Sequence, residues 1–411
     1  MVEKTAEKRA REEFVTRLTG DGHLDDPRVR SAVASLDRSA FAPDAALEAV
    51  YSDDAIRIIA HEDGRWLSTV SAGWLQAAMA TALAVEPGDR IIEVGSGGYN
   101  AALLAQLAGP TGSVLSVDID PSVIDRARVG IAAQDVDLSG IEVRVADAWR
   151  GLGEEEADRI MLTVDVAHVP WPLVSALRDG GTFLAPMRLG GLGTCVLTRR
   201  RGDALIGGIP LTGGFVGAQG EGEAGERPAV VNTDENSWLT GTAPGSVSTE
   251  AFDAMIAESS RVHETGVQIG PILWLNLFLW IGAAPFPTAT WSATTPRPEG
   301  FTAGSPFGTP VAIDTDGGLS LAAPAARWID DEHLDLIVHA YGPRGDELAE
   351  RLAAHIRAWD AIGGDDAKPE ILIRPHSADP TPDGWLPAAR LDRDDTFLRW
   401  TPLNEPHPSS R

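Results

Sequence analysis

From residue 90 onward, short β-rich runs alternate with helical segments, and this alternation constrains the fold more than any other feature of the chain. The runs read IIEV (91–94), SVLSVDI (113–119), IEVRVA (141–146), DRIMLTV (158–164) and TFLAPM (182–187), with CVLTRR (195–200) as a further strand. Helical stretches at 100–108, 121–133 and 171–177 fall between them. Strands separated by helices pair in parallel, because the helix is the crossover that carries the chain back to the starting edge. The spacing predicts an α/β, doubly wound sheet. Ahead of it, polar helix-favouring residues occupy 4–18. A second helix at 27–36 opens with Asp26 as N-cap and Pro27 at the first helical position, and 74–83 is a third.

Ligands of such sheets bind at the carboxyl ends of the strands, where strand order reverses. The first strand runs directly into Gly95-Ser96-Gly97-Gly98 and then a helix. Glycine allows backbone to approach a ligand without an intervening Cβ. A dinucleotide site would carry G-x-G-x-x-G, but Asn100 takes the third place, and the Gly-Lys-Ser/Thr of a P-loop is absent. Asp118 ends the second strand, 21 residues beyond Gly97, where a carboxylate accepts both hydroxyls of a ribose. Asp120-Pro121 caps the next helix, and Asp147 follows the third strand, at the position of an adenine edge. Each acid alone also fits a strand-end or turn charge. Together they describe a nucleoside held without a pyrophosphate cradle, which points to S-adenosylmethionine. Glu93 then falls near the cationic methionyl end, where a carboxylate is favourable.

A chain of 411 residues predicts about two domains. Its 34 basic and 60 acidic residues give a net charge of −26, a field that repels phosphate backbones and anionic lipids, so neither nucleic acid nor membrane is an expected partner. The single cysteine, Cys195, precludes an internal disulfide framework and fits a reducing cytoplasm. The first residues, MVEKTAEKRAREEF, carry no apolar signal core. The longest apolar run, PILWLNLFLWIGAAPF (271–286), is too short to span a bilayer and reads as buried core. The histidines are scattered without metal-ligand spacing, so no metal is expected.

Beyond these readings, residues from about 9 to 200 resemble protein-L-isoaspartate O-methyltransferases. The resemblance rests on an ordered series: DPRVRSAVASLDRSAFAP (26–43), Tyr51-Ser52-Asp53, VSAGWLQAAM (70–79), IIEVGSGGYNAALLA (91–105), DRIMLTVDVAHVP (158–170) and LRDGGTFLAPM (177–187). It implies a Rossmann-like sheet with N-terminal helices and the methyl donor S-adenosylmethionine, released as S-adenosylhomocysteine. It places that cofactor on Glu93, Gly95, Ser96, Gly97, Gly98, Tyr99, Asn100, Asp118, Ile119, Asp147 and Ala148. Ser71 matches the family's serine beside the acceptor and is the implied catalytic residue, although it could equally cap the helix after it. Thr69, Val70, Asp165, His168 and Trp171 would line the peptide groove. His168 alone also fits an exposed loop, and Trp171 a core position or helix start.

The remainder, with MRLGGLGTCV, TGGFVGAQG and HAYGPRGDELAERLAAHIRAWD, resembles the extended "FxLD system" subfamily that modifies ribosomal peptides of lanthipeptide or graspetide type. That resemblance implies methylation of an aspartate in a modified precursor peptide, leading to a succinimide and on to isoaspartate. Leu67-Ser68-Thr69 and VDVAH (164–168) depart from the repair enzymes on the acceptor side, which favours a changed acceptor. The expected organisation is an N-terminal substrate-side segment (1–85), a cofactor-binding core (86–212), a Gly/Glu-rich linker (213–227) and a C-terminal α+β accessory region (228–411). Conventional isoaspartate repair, a small-molecule O-methyltransferase and a non-catalytic binding module are the rival readings. A nucleic-acid methyltransferase is disfavoured by the charge and by VDVAHVPW standing where an Asn/Asp-Pro-Pro-aromatic motif would be.

Overall fold

The computed structural model describes residues 2–62, 66–95, 97–189, 192–223, 229–232, 237–241, 247–270, 275–293, 308–375, 389–390 and 396–401. The chain divides into two units, Met1–Met187 with Thr194–Ala224, and Arg188–Gly193 with Gly225–Arg411.

The first unit opens with α1 (Val2–Gly20), α2 (Pro27–Ser35) and the short α3 (Leu47–Val50). Asp26 caps α2, its carboxylate accepting from the backbone N–H groups of Arg28 at 2.7 Å and Val29 at 3.3 Å. A two-stranded hairpin, β1 (Ile56–Ala60) and β2 (Trp66–Val70), leads into α4 (Gly73–Leu83). Phe14, Leu18, Val29, Val33, Phe41 and Leu75 join these elements in one core, each at most 4% exposed.

The sheet comprises β3 (Arg90–Val94), β4 (Ser113–Asp118), β5 (Ile141–Val145), β6 (Ala157–Leu162), β7 (Leu177–Leu189), β8 (Leu192–Arg201) and β9 (Ala204–Thr212). Spatial order is β5-β4-β3-β6-β7-β8-β9, with β5 through β7 parallel and β8–β9 antiparallel. Helices α5 (Tyr99–Ala108) and α6 (Pro121–Ala132) are the crossovers after β3 and β4. The chain steps outward from β3 to β5, then returns to lay β6 on the other side of β3. That reversal opens a crevice at the carboxyl ends of β3 and β6. The strands β3, β4 and β6 are buried almost throughout, as parallel strands covered on both faces must be. The helix expected over 171–177 stops early: α7 spans Trp171–Val174, because Leu177 is drawn into register with Ala157 as the first residue of β7.

The second unit is rich in antiparallel sheet. Its strands are β10 (Ala229–Asn232), β11 (Ser237–Gly241), β12 (Arg261–Ile269), β13 (Thr288–Ala293), β14 (Thr309–Asp314), β15 (Ser320–Trp328) and β16 (Leu334–Tyr341), in the order β10-β11-β13-β14-β15-β16-β12. Helix α8 (Thr249–Ala257) precedes β12, and α9 (Leu275–Gly282) follows it. Helix α10 (Gly345–Ala361) buries Leu348, Leu352, Ile356 and Trp359, at i, i+4, i+8 and i+11, in a core with Leu336 and Val338 of β16. Strands β17 (Lys368–Ile373), β18 (Ala389–Arg390) and β19 (Thr396–Thr401) pair antiparallel in the order β17-β19-β18. Helix α9 lies within the apolar run noted in the sequence and buries Leu277, Phe278, Leu279 and Ile281; residues 271–274 of that run lie outside the described residues. Among the described residues no helix is long and apolar enough to cross a membrane.

Candidate cofactor and acceptor site

At the reversal point the first unit holds an open cleft, where ligands of such sheets bind. It gathers residues from six parts of the chain. Thr69 and Ser71 come from the end of the hairpin, Gly95 and Gly97 from the loop after β3, and Asp118 and Ile119 from the end of β4. Asp147, Ala148 and Trp149 follow β5, and Thr163 and Val164 follow β6. A run from 216 to 219 completes the wall.

The glycine loop is shaped by backbone demands. Gly98 has φ +86°, and a Cβ there would lie 2.9 Å from both the Ala127 Cα and the Phe41 ring. It therefore brings α5 against α6 while the preceding backbone turns toward the cleft. Ser96, named as a cofactor residue, lies outside the described residues. Val70, Tyr99 and Asn100 are buried behind the wall.

Glu93, expected near the cationic methionyl end, is also behind the wall, so its carboxylate does not face the cleft. Its position in β3 is flanked by Ser116 of β4 and Met161 of β6. The carboxylate is fully buried, accepting from Asn100 Nδ2 at 2.9 Å and from Ser116 Oγ. Burial raises its pKa to about 7, against the opposing effect of those two hydrogen bonds.

Asp118 stands half-buried on the cleft wall and accepts from the Asp120 N–H at 2.9 Å. Ile119 next to it is 37% exposed, an apolar surface turned out beside a carboxylate. Asp147 is engaged on both oxygens, by Trp149 N–H at 3.0 Å and by Glu221 N–H at 3.1 Å. It thus pins the run 216–222 to the end of β5 while remaining on the cleft wall. The run is held at further points: Asp165 N–H donates to Val216 O at 2.8 Å, Ala218 N–H donates to Asp165 O at 2.9 Å, and Arg150 pairs with Glu221 at 3.0 Å. Gly220, at φ +67°, passes so close that a Cβ would fall 2.4 Å from Ile119 Cδ1. Residues 216–221, within the stretch 213–227 read in the sequence as a linker, therefore line or brace this site.

On the acceptor side Ser71 is half-buried on the wall. It does not cap α4, whose N-cap is Ala72 with no side-chain hydrogen bond. Its carbonyl accepts from Arg38 Nη2 at 2.5 Å, while its hydroxyl makes no hydrogen bond among the described residues. Asp165 lends its backbone to the wall through the bridge to Gly217. His168 is exposed and Trp171 half-buried, and neither lines the cleft. The sequence reading missed Trp149, whose indole N–H donates to His168 O at 3.3 Å, the run 216–219, and Arg38.

A reversal-point cleft with a ribose-height carboxylate, a flanking apolar side chain and no diphosphate loop defines a Rossmann-like methyltransferase. The family profile of the protein-L-isoaspartate(D-aspartate) O-methyltransferases matches residues 8–213. A protein-L-isoaspartate O-methyltransferase of Methanopyrus kandleri is 34% identical over 182 residues, 44% of this chain and 77% of its own. One from Methanoculleus marisnigri is 35% identical over 226 residues, 52% of this chain and 96% of its own. A Plasmodium falciparum structure in complex with S-adenosyl-L-homocysteine has a TM-score of 0.43 at 18% identity, covering 51% of this chain and 98% of its own. The chain belongs to the protein-L-isoaspartate O-methyltransferase family, whose methyl donor is S-adenosylmethionine. The residues present fit that donor: a carboxylate for the ribose at Asp118, an apolar face for the base at Ile119, and glycine backbone at 95 and 97 where the methionyl chain would run.

Proposed function

We propose that this chain transfers methyl from S-adenosylmethionine to the side-chain carboxylate of an aspartate in a ribosomally synthesised, modified peptide. The ester then closes to a succinimide. The observation that carries the reading is Ser71, a hydroxyl on the cleft wall with its backbone anchored and no hydrogen bond of its own among the described residues. When bound, the cofactor supplies an electrophilic methyl on a sulfonium. The acceptor carboxylate is already ionised near pH 7, so no strong base is required. What the protein must do is align and desolvate. Asp118 accepts the ribose hydroxyls and fixes the nucleoside. Ser71 donates to one carboxylate oxygen and leaves the other facing the methyl. The run 216–219 and the hairpin residues 67–69 wall the reacting atoms from water. After transfer, a neighbouring backbone amide nitrogen attacks the ester carbonyl and methanol leaves, a closure that needs no further protein group.

The changed acceptor-side residues, Leu67-Ser68-Thr69 and 164–168, support a peptide acceptor other than the repair substrate. So does the family match ending at residue 213 of 411. The second reading, repair of isoaspartyl residues, is favoured by the coverage of the curated relatives. Mass spectrometry of three acceptors with S-adenosylmethionine separates the two readings: a ring-constrained aspartyl peptide, its linear form and an isoaspartyl peptide. Gain of a methyl on the constrained aspartyl peptide, followed by loss of methanol, is the expected result. Methylation of the isoaspartyl peptide alone establishes repair and ends the peptide-modification reading.

A further inference from the structure

Among the described residues the charged side chains on the cleft wall are Asp118 and Asp147, and no lysine, arginine or histidine lines it. An anionic acceptor entering an acidic cleft in a chain of net charge −26 meets repulsion; the sulfonium of the bound cofactor offsets it, and a protein cation lying close behind the wall would add to that. One lies there. Arg38 is fully buried, and its three hydrogen bonds all go to neutral acceptors: Nε to Val50 O at 2.9 Å, Nη1 to Gln76 Oε1 at 2.5 Å and Nη2 to Ser71 O at 2.5 Å. Its guanidinium lies 4.9 Å from the centroid of the Tyr99 ring, the first residue of the helix after the glycine loop. A buried cation is ordinarily matched by a carboxylate. Here none of its hydrogen-bond partners among the described residues carries charge, and one of them is the Ser71 carbonyl on the cleft wall.

We propose that Arg38 is a specificity-determining residue, whose unneutralised charge behind Ser71 selects an ionised carboxylate as the acceptor. The inference rests on the reading that Ser71 holds the acceptor. Arg38 favours the charged acceptor in the ground state and less so as that charge is lost, so weakening its charge raises KM and does not lower kcat. It also fixes the Ser71 backbone, but that positional role is separable from the charge.

The test is Gln76→Glu, which keeps the acceptor of the Arg38 Nη1 hydrogen bond and adds the missing negative charge. With Gln76→Glu, KM for the carboxylate acceptor rises about tenfold, the scale set by a nearby unit charge at an effective dielectric of about 20, and kcat does not fall. Arg38→Lys keeps the charge and loses the planar fork, so it lowers kcat and leaves KM near wild type. Calorimetric binding of S-adenosylhomocysteine, which has no sulfonium charge, stays unchanged in both variants and shows the fold and cofactor cleft intact. A measurement on the wild-type protein needs no variant: the aspartyl peptide competes at least tenfold better than its asparaginyl isostere. Equal competition by the two peptides, or an unaltered KM in Gln76→Glu, overturns the role of Arg38. If Ser71→Ala lowers activity at the same time, the reading of Ser71 stands without it. If the wild type methylates no carboxylate, both fall together.

Discussion

Replacing Ser71 by alanine removes one hydroxyl and, on this structure, nothing else. The hydroxyl makes no hydrogen bond among the described residues, and α4 is not capped by it. The N–H groups of Leu75 and Gln76 are met instead by Ala72 O, each at 3.1 Å. The anchoring contact, Arg38 Nη2 to Ser71 O, is to backbone and survives the substitution. Stability should therefore change by no more than about 0.5 kcal/mol, the usual range for a change that breaks no internal contact. The loss appears only with an acceptor bound. A hydrogen bond to a charged group contributes about 1.5–3 kcal/mol, so kcat/KM for the acceptor peptide should fall between about ten- and a hundredfold. The assay is initial-rate methyl transfer with labelled S-adenosylmethionine, alongside thermal unfolding and S-adenosylhomocysteine titration. Undiminished kcat/KM refutes the role of the hydroxyl. A fall in melting temperature with lost cofactor affinity shows instead that the residue is structural.

Three further outcomes follow from the same geometry. Asp118→Asn should weaken S-adenosylhomocysteine binding by about tenfold or more in calorimetry, since a charged acceptor of ribose hydroxyls becomes neutral; unchanged affinity would remove the ribose assignment. Gly98→Ala forces a side chain onto a φ of +86° against Ala127 and Phe41, and should destabilise the first unit by about 1–3 kcal/mol, read as a shifted denaturant midpoint. Glu93 has a pKa raised by burial from 4.5 to about 7, so the folded state binds its proton more tightly than the unfolded state does. Its effect is absent below about pH 4.5, and stability is then lost as pH rises, by about 3 kcal/mol on reaching pH 7. Glu93→Gln should remove that slope, and parallel stability profiles for variant and wild type between pH 5 and 8 would show the assignment to be wrong.

Much of this architecture was legible in the residues. Parallel strands buried on both faces leave unbroken apolar runs, so 91–94, 113–119 and 158–164 announced themselves, and Asp26-Pro27 marked its helix start chemically. Asp118 was placeable because a strand end fixes where its side chain emerges. Glu93 was not, because only the register with Ser116 and Met161 shows that its carboxylate is enclosed between neighbouring strands. The run 216–222 was misread because glycine-rich composition signals a loop without saying what the loop touches, and its contacts with Asp147 and Asp165 lie more than 50 residues away in sequence. Arg38 lies within the matched stretch 26–43, but its place behind Ser71 was not legible, since burial beside neutral carbonyls leaves no pattern of paired charges to find.

The anchoring of residues 216–222 also has a consequence for biosynthesis. Every other segment of the wall is translated by residue 164, yet the last side of the cleft is formed by a stretch made more than 50 residues later. A nascent chain halted before that stretch leaves the ribosome has the β3–β6 crevice without its final wall. Nucleoside capture on the ribosome would therefore begin abruptly, once residue 222 has emerged.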